Sequence, residues 1–123
     1  MKIYENLTFK FTNIKEALEV LKKKESQRIN FFHPFNSLIW QGPYFAKYVN
    51  DKLKNKKVNF IVETSENIGW TLALINLGIK HISISMNIDK KILAKISSMA
   101  KKKKIGIYIT EKFSKIQKLD DFE

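Results

Sequence analysis

Residues Val58 to Thr64 read VNFIVET, an almost unbroken apolar run of strand length. A strand with one wet face alternates apolar and polar side chains, whereas a continuous run suits a parallel strand covered on both faces. The run is therefore expected to be a central strand. Ser65, Glu66 and Asn67 follow it with N-cap chemistry, Leu72 to Leu77 is apolar nearly all round, and Gly78 stands where a helix end wants left-handed backbone. His81 to Ser85 (HISIS) then reads as another strand. A strand, a helix and a strand in succession point to a right-handed parallel crossover rather than a hairpin.

The same alternation extends in both directions. Toward the C-terminus, Asp89 opens a helix with Ile88, Ile92, Leu93, Ile96 and Met99 on one side and Lys101 to Lys104 at its end, and Ile105 to Ile109 is the last strand. The tail from Thr110 to Glu123 reads either as a short helix packing Phe113 and Ile116 or as a frayed end. Toward the N-terminus, Pro43 suits a first helical position, with Phe45, Tyr48, Val49 and Leu53 as the apolar stripe behind it. A loop from His33 to Gly42 precedes that helix, and Pro34, lacking an N–H, stops a short buried strand over Ile29 to Phe32. Asn13 and Glu16 form a capping-box-like start to a helix carrying Ile14, Ala17, Leu18 and Leu21 and ending in Lys22, Lys23 and Lys24. Leu7, Phe9 and Phe11 alternate with Thr8 and Lys10, the pattern of a half-buried edge strand. The expectation is one α/β domain over residues 1–123, with three layers and a mostly parallel sheet of about five strands alternating with helices.

Composition narrows the function classes. An apolar fraction of 44% favours a packed core over disorder. With no cysteine, disulfides, thiolate metal sites and cysteine nucleophiles are excluded, and His33 and His81 are too few and too far apart for a zinc site. No metal and no cofactor is expected. No apolar run approaches the ~20 residues of a membrane span, and MKIYENLTFKF lacks the pattern of a signal peptide, so a cytoplasmic location is the default. The net charge of +11 invites a nucleic-acid partner. Of the 23 basic residues, however, only Arg28 is arginine, and the joint abundance of lysine, isoleucine, asparagine and phenylalanine is the enrichment expected of AT-rich coding. Specific phosphate readers favour the guanidinium fork.

Ligands of open parallel sheets sit beyond the carboxyl ends of the strands. That rule nominates His33 to Gly42, Glu63 to Gly69, Met86 to Asp89 and Thr110 to Lys112. Two carboxylates, Glu63 and Glu66, leave the most buried strand together, and such pairs serve as acid and base when their pKa values are pushed apart. Dipole complementation and loop fastening are the structural alternatives. His33 is a third catalytic candidate, against the plainer reading of a solvated loop residue. Trp40, Gln41, Gly42, Thr64, Ser65, Asn67 and Gly69 are the candidates for ligand or partner binding. Neither GxGxxG nor GxxxxGK[ST] occurs, so the usual dinucleotide and P-loop motifs are absent.

Two stretches, Gln41-Gly42-Pro43-Tyr44-Phe45 and Glu63-Thr64-Ser65-Glu66-Asn67-Ile68-Gly69, followed by a helix ending in Leu77-Gly78-Ile79, carry a resemblance. The order resembles a group of short alphaproteobacterial α/β proteins in which a strand, a Gly-Pro-aromatic loop, a helix and an Asp-Cys-x-Asp-x-x-Gly segment succeed one another. Here Glu fills both acidic positions and Thr replaces Cys, so thiol chemistry does not carry over, and the group brings no assigned activity with it. In size and element order the chain is also similar to the STAS domains of anti-sigma-factor antagonists. Ser37 is nearest in position to their phosphorylatable serine, without the surrounding Asp-Ser-x-Gly pattern.

The reading that follows is a noncatalytic module binding a protein partner or a small ligand through 33–42 and 63–69. A small carboxylate-based enzyme and a lysine-rich nonspecific nucleic-acid binder are the alternatives.

Overall fold

The VNFIVET run forms β3 (Val58–Ser65), one of the two middle strands of a six-stranded sheet. The computed structural model describes residues 2–23, 27–54, 56–113 and 115–118. The other strands are β1 (Leu7–Lys10), β2 (Ile29–His33), β4 (His81–Ile84), β5 (Gly106–Ile109) and β6 (Ile116–Gln117). They lie in the order β5-β4-β3-β2-β1-β6, and every pairing is parallel. The helices are α1 (Ile14–Lys23), α2 (Phe35–Gln41), α3 (Pro43–Leu53), α4 (Ile68–Leu77) and α5 (Lys90–Lys102). The domain is thus the α/β fold with a parallel sheet that the sequence implies.

Because β1 to β5 advance across the sheet in chain order, right-handed crossovers put successive helices on one face. Strand alternation then divides the side chains. Phe9, Phe31, Phe60, Val62 and Ile82 belong to the core shared with all five helices. Their neighbours Phe32, Ile61 and Tyr108 form a smaller cluster with Phe113, Ile3 and Tyr4. Helices, sheet and this thin cover, built from 3-10 turns at Lys2–Glu5 and Thr110–Lys112, make the three layers.

The cover is fastened by a polar row. Thr8, Asn30 and Asn59 are in register across β1, β2 and β3. Asn30 Nδ2 donates to Thr8 Oγ1 at 3.1 Å and to the Ile3 carbonyl at 2.7 Å, and Asn59 Nδ2 donates to Asn30 Oδ1 at 3.0 Å. All three residues are buried, so the mutual hydrogen bonds offset a desolvation cost that each would otherwise bear alone.

Several expectations change. The segment 33–42 is not a loop, since seven of its residues form α2, which enters after Pro34 and stops at Gly42 with φ +85°. The sheet of about five strands holds six, and β6 pairs with β1, so β1 is paired on both sides and is not an edge. The tail is a 3-10 turn with Phe113 buried, then β6 with Ile116 exposed, rather than a helix packing both; residues 119–123 and Lys24 lie outside the described residues. Leu18, Met99 and Tyr48 turn outward, because the inward stripes run through Ala17 and Val20, Ile96 and Ala100, and Ala46, Val49 and Leu53. Gly78 does take the left-handed end of α4, and Asn13 Oδ1 accepts from the Glu16 amide at 2.8 Å at the start of α1.

Candidate functional site

At the carboxyl rim of the sheet the polar side chains serve the fold. Glu63 Oε1 accepts from the Phe35 amide at 2.9 Å, so a carboxylate of β3 caps the free N–H end of α2, which has no side-chain cap of its own. One crossover along, Glu111 Oε1 accepts from the Met86 amide at 2.9 Å and fastens the loop after β4. Thr64 is fully buried: its hydroxyl accepts from Thr71 Oγ1 at 2.7 Å, pinning α4 to β3. Ser65 sits at φ +56° beside a register shift in the β3–β4 pairing, and its carbonyl accepts from the Ser85 amide at 3.0 Å. Asn67 is the N-cap of α4, its Oδ1 accepting from the Trp70 amide at 2.9 Å, and Gly69 lies exposed in the first turn of that helix.

The three catalytic candidates do not converge. Register pairs His33 with Val62, and both belong to the helix side, so alternation sends Glu63 to the other face. Glu66 is exposed. No hydrogen bond joins His33, Glu63 and Glu66 among the described residues. His33 is 1% exposed rather than solvated, its ring packed 5.6 to 5.9 Å from those of Phe11, Phe45 and Phe60. Neither ring nitrogen has a hydrogen-bond partner, and burial lowers its pKa to about 4. Ser37 lies within α2, partly buried.

The α2–α3 corner is different. Trp40 is 88% exposed and Tyr44 76%, with Ile39 and Tyr48 at 50% and 52%. Gln41 is exposed beside them, and Gly42 makes the sharp joint between the two helices. Tyr44 and Tyr48, four residues apart, share the outward face of α3. Lys52 Nζ lies 5.6 Å from the Tyr48 ring centre, and Lys47 pairs with Asp51 at 3.0 Å. Trp70, by contrast, is half-buried against the core.

A cleft of about 460 Å³ opens at the amino rim, between α3, the segment before β3 and the starts of β3 and β4. Arg28, Lys47, Lys54, Lys56 and Lys80 line it with Asn50, Asn59 and His81, against one carboxylate, Asp51. Sequence reading missed this cleft because it looked to the carboxyl ends. The signal was present: Arg28, Lys56 and Lys57, and Lys80 stand immediately before β2, β3 and β4. Among the described residues no cluster of His, Cys, Asp and Glu fit for a metal ion is found, and no helix is long and apolar enough to cross a membrane.

Comparison with protein-family models, with curated proteins and with solved structures found no match.

Proposed function

We propose that the chain is a noncatalytic α/β binding module that docks a protein partner on the α2–α3 corner, with Trp40 as the anchor. The carrying observation is the exposure of Trp40 at 88%, on a helix whose inward contacts are supplied by Leu38 instead. An exposed indole contributes little to the fold, yet desolvated in a partner's pocket it is the kind of side chain that dominates an interface. Tyr44 and Tyr48 extend the surface, and Lys52 beside Tyr48 adds positive charge at its rim. The partner's matching surface is therefore apolar at its centre and acidic at its edge. The small-ligand version of this reading loses support at 63–69, where Glu63, Thr64 and Asn67 are each engaged by the fold.

The test is retention of partners by the immobilised chain, compared with Trp40→Ala and Tyr44→Ala. Both variants are expected to unfold within about 0.5 kcal/mol of the parent, as surface substitutions do, and to lose a shared retained protein. Undiminished retention by the double variant would remove the proposal. One observation favours a second reading: Trp40 and Tyr44 also offer stacking faces to single-stranded nucleic acid on a chain of net charge +11. Oligonucleotide binding that depends on Trp40 and falls steeply with salt would select it instead.

A further inference from the structure

We infer that the cleft at the amino rim binds a small ligand through one or more phosphate groups. Its lining meets the aromatic corner only at Lys47 and its partner Asp51, and the inference does not depend on partner docking. Open parallel sheets usually take ligands at the opposite end, but here the carboxylates at that end, Glu63 and Glu111, are engaged by the amides of Phe35 and Met86.

Three features carry the inference. The cleft's volume of about 460 Å³ is within the ~300–1,000 Å³ range of small-molecule sites. Its charge is one-sided: Arg28, Lys47, Lys54, Lys56 and Lys80 face a single Asp51, which is already paired to Lys47 at 3.0 Å. The carboxyl-terminal end of α3 adds only about half a negative charge, far too little to neutralise the remaining four cations. Arg28, the chain's one arginine, is held in place by a 3.3 Å bond from its Nη1 to Asn59 Oδ1, which leaves the rest of the guanidinium fork for an oxyanion.

The walls are fixed before any ligand arrives. Asn50 Oδ1 accepts from the Lys80 amide at 3.1 Å and ties α3 to the start of β4, while Asn59 is held by Asn30. His81 faces the cleft with its Nδ1 3.0 Å from the Tyr108 hydroxyl. Lys80 and Arg28 line the cleft with it, and burial, then the charges of these two cations, lower its pKa to about 4. A single carboxylate would leave most of this charge uncompensated, whereas a phosphomonoester or pyrophosphate brings two or more negative charges.

The experiment is titration of the full chain with inorganic pyrophosphate at constant ionic strength, followed by amide chemical shifts. Lys80→Gln is the informative variant, because Lys80 is exposed and its structural bond uses the backbone amide. Arg28→Gln is a second variant, and Lys101→Gln, at the end of α5 and outside the cleft lining, is the control. Shifts concentrated at Asn59, Lys80 and His81, with affinity at least tenfold weaker in both cleft variants and unchanged in Lys101→Gln, are expected. Shifts spread over all lysine-rich surfaces, or equal weakening by Lys101→Gln, would overturn the inference. So would binding of a single-stranded oligonucleotide that pyrophosphate does not displace, coupled with no binding of pyrophosphate itself.

Discussion

His33 ends a strand of five buried residues, and its imidazole is enclosed by phenylalanine rings with neither nitrogen bonded to protein. In the unfolded chain a histidine takes up a proton near pH 6.5, while in the fold His33 resists protonation until about pH 4. The unfolded state thus binds more protons across that window. Stability is full above about pH 6.5 and is lost as pH falls toward 4, by about 3 kcal/mol for this residue. His81, lowered in the same direction, adds to the loss. His33→Phe retains a flat ring and removes two unbonded polar atoms, so urea unfolding at pH 7.5 should find the variant about 1 kcal/mol more stable. Repeated at pH 5, the same measurement should show a shallower acid decline. A variant less stable than the parent at pH 7.5 would mean that the imidazole makes bonds essential to the core. The strand-ending position of His33 was readable from Pro34, but its environment was not, because Phe11, Phe45 and Phe60 reach it from the segment after β1, from α3 and from β3.

At the scale of elements, the local chemistry written next to a residue was the legible part. Asn13, Asn67 and Gly78 each cap the helix beside them in sequence, as their types imply. Helix α2 was invisible for the converse reason. Its start is capped by a side chain 28 residues away, the Glu63 carboxylate on the Phe35 amide, and no residue inside the segment announces a helix. Glu63 was legible as a special carboxylate but not as a cap, since that role depends on β2 and β3 lying side by side in register. Glu63→Ala should cost about 1–2 kcal/mol in chemical denaturation, the usual range for a lost cap, and Glu63→Gln, which keeps an acceptor, about half as much. Equal costs for the two would assign the stabilisation to charge rather than to the hydrogen bond. The same dependence on neighbours misdirected the reading of Tyr48: its spacing from Phe45 suggested the inner stripe, but α3 turns Val49 and Leu53 to the sheet and Tyr48 to solvent.

Over the whole molecule, the order of strands decides what each face can do, and order is not contained in succession. Four crossovers advancing the same way, from β1 to β5, leave the second sheet face without a helix layer, and the segments around Tyr4 and Phe113 supply its cover instead. Tyr4 is the hinge of that arrangement: its ring meets Phe113 at 4.8 Å and Tyr108 at 6.0 Å, and its hydroxyl accepts from the Ile109 amide at 2.8 Å, across 105 positions of sequence. Because this contact joins the first residues to the far edge of the sheet, its loss should weaken global stability rather than fray one end. Tyr4→Phe removes only the acceptor and should cost about 1 kcal/mol, whereas Tyr4→Ala also opens the aromatic cluster and should cost about 3 kcal/mol. Urea unfolding followed by the fluorescence of Trp70, which packs against the other core, reports whether the loss is global. If Tyr4→Ala leaves the Trp70 transition unmoved while amide exchange rises only in residues 2–10, the cover folds separately from the domain and the two cores are not one cooperative unit.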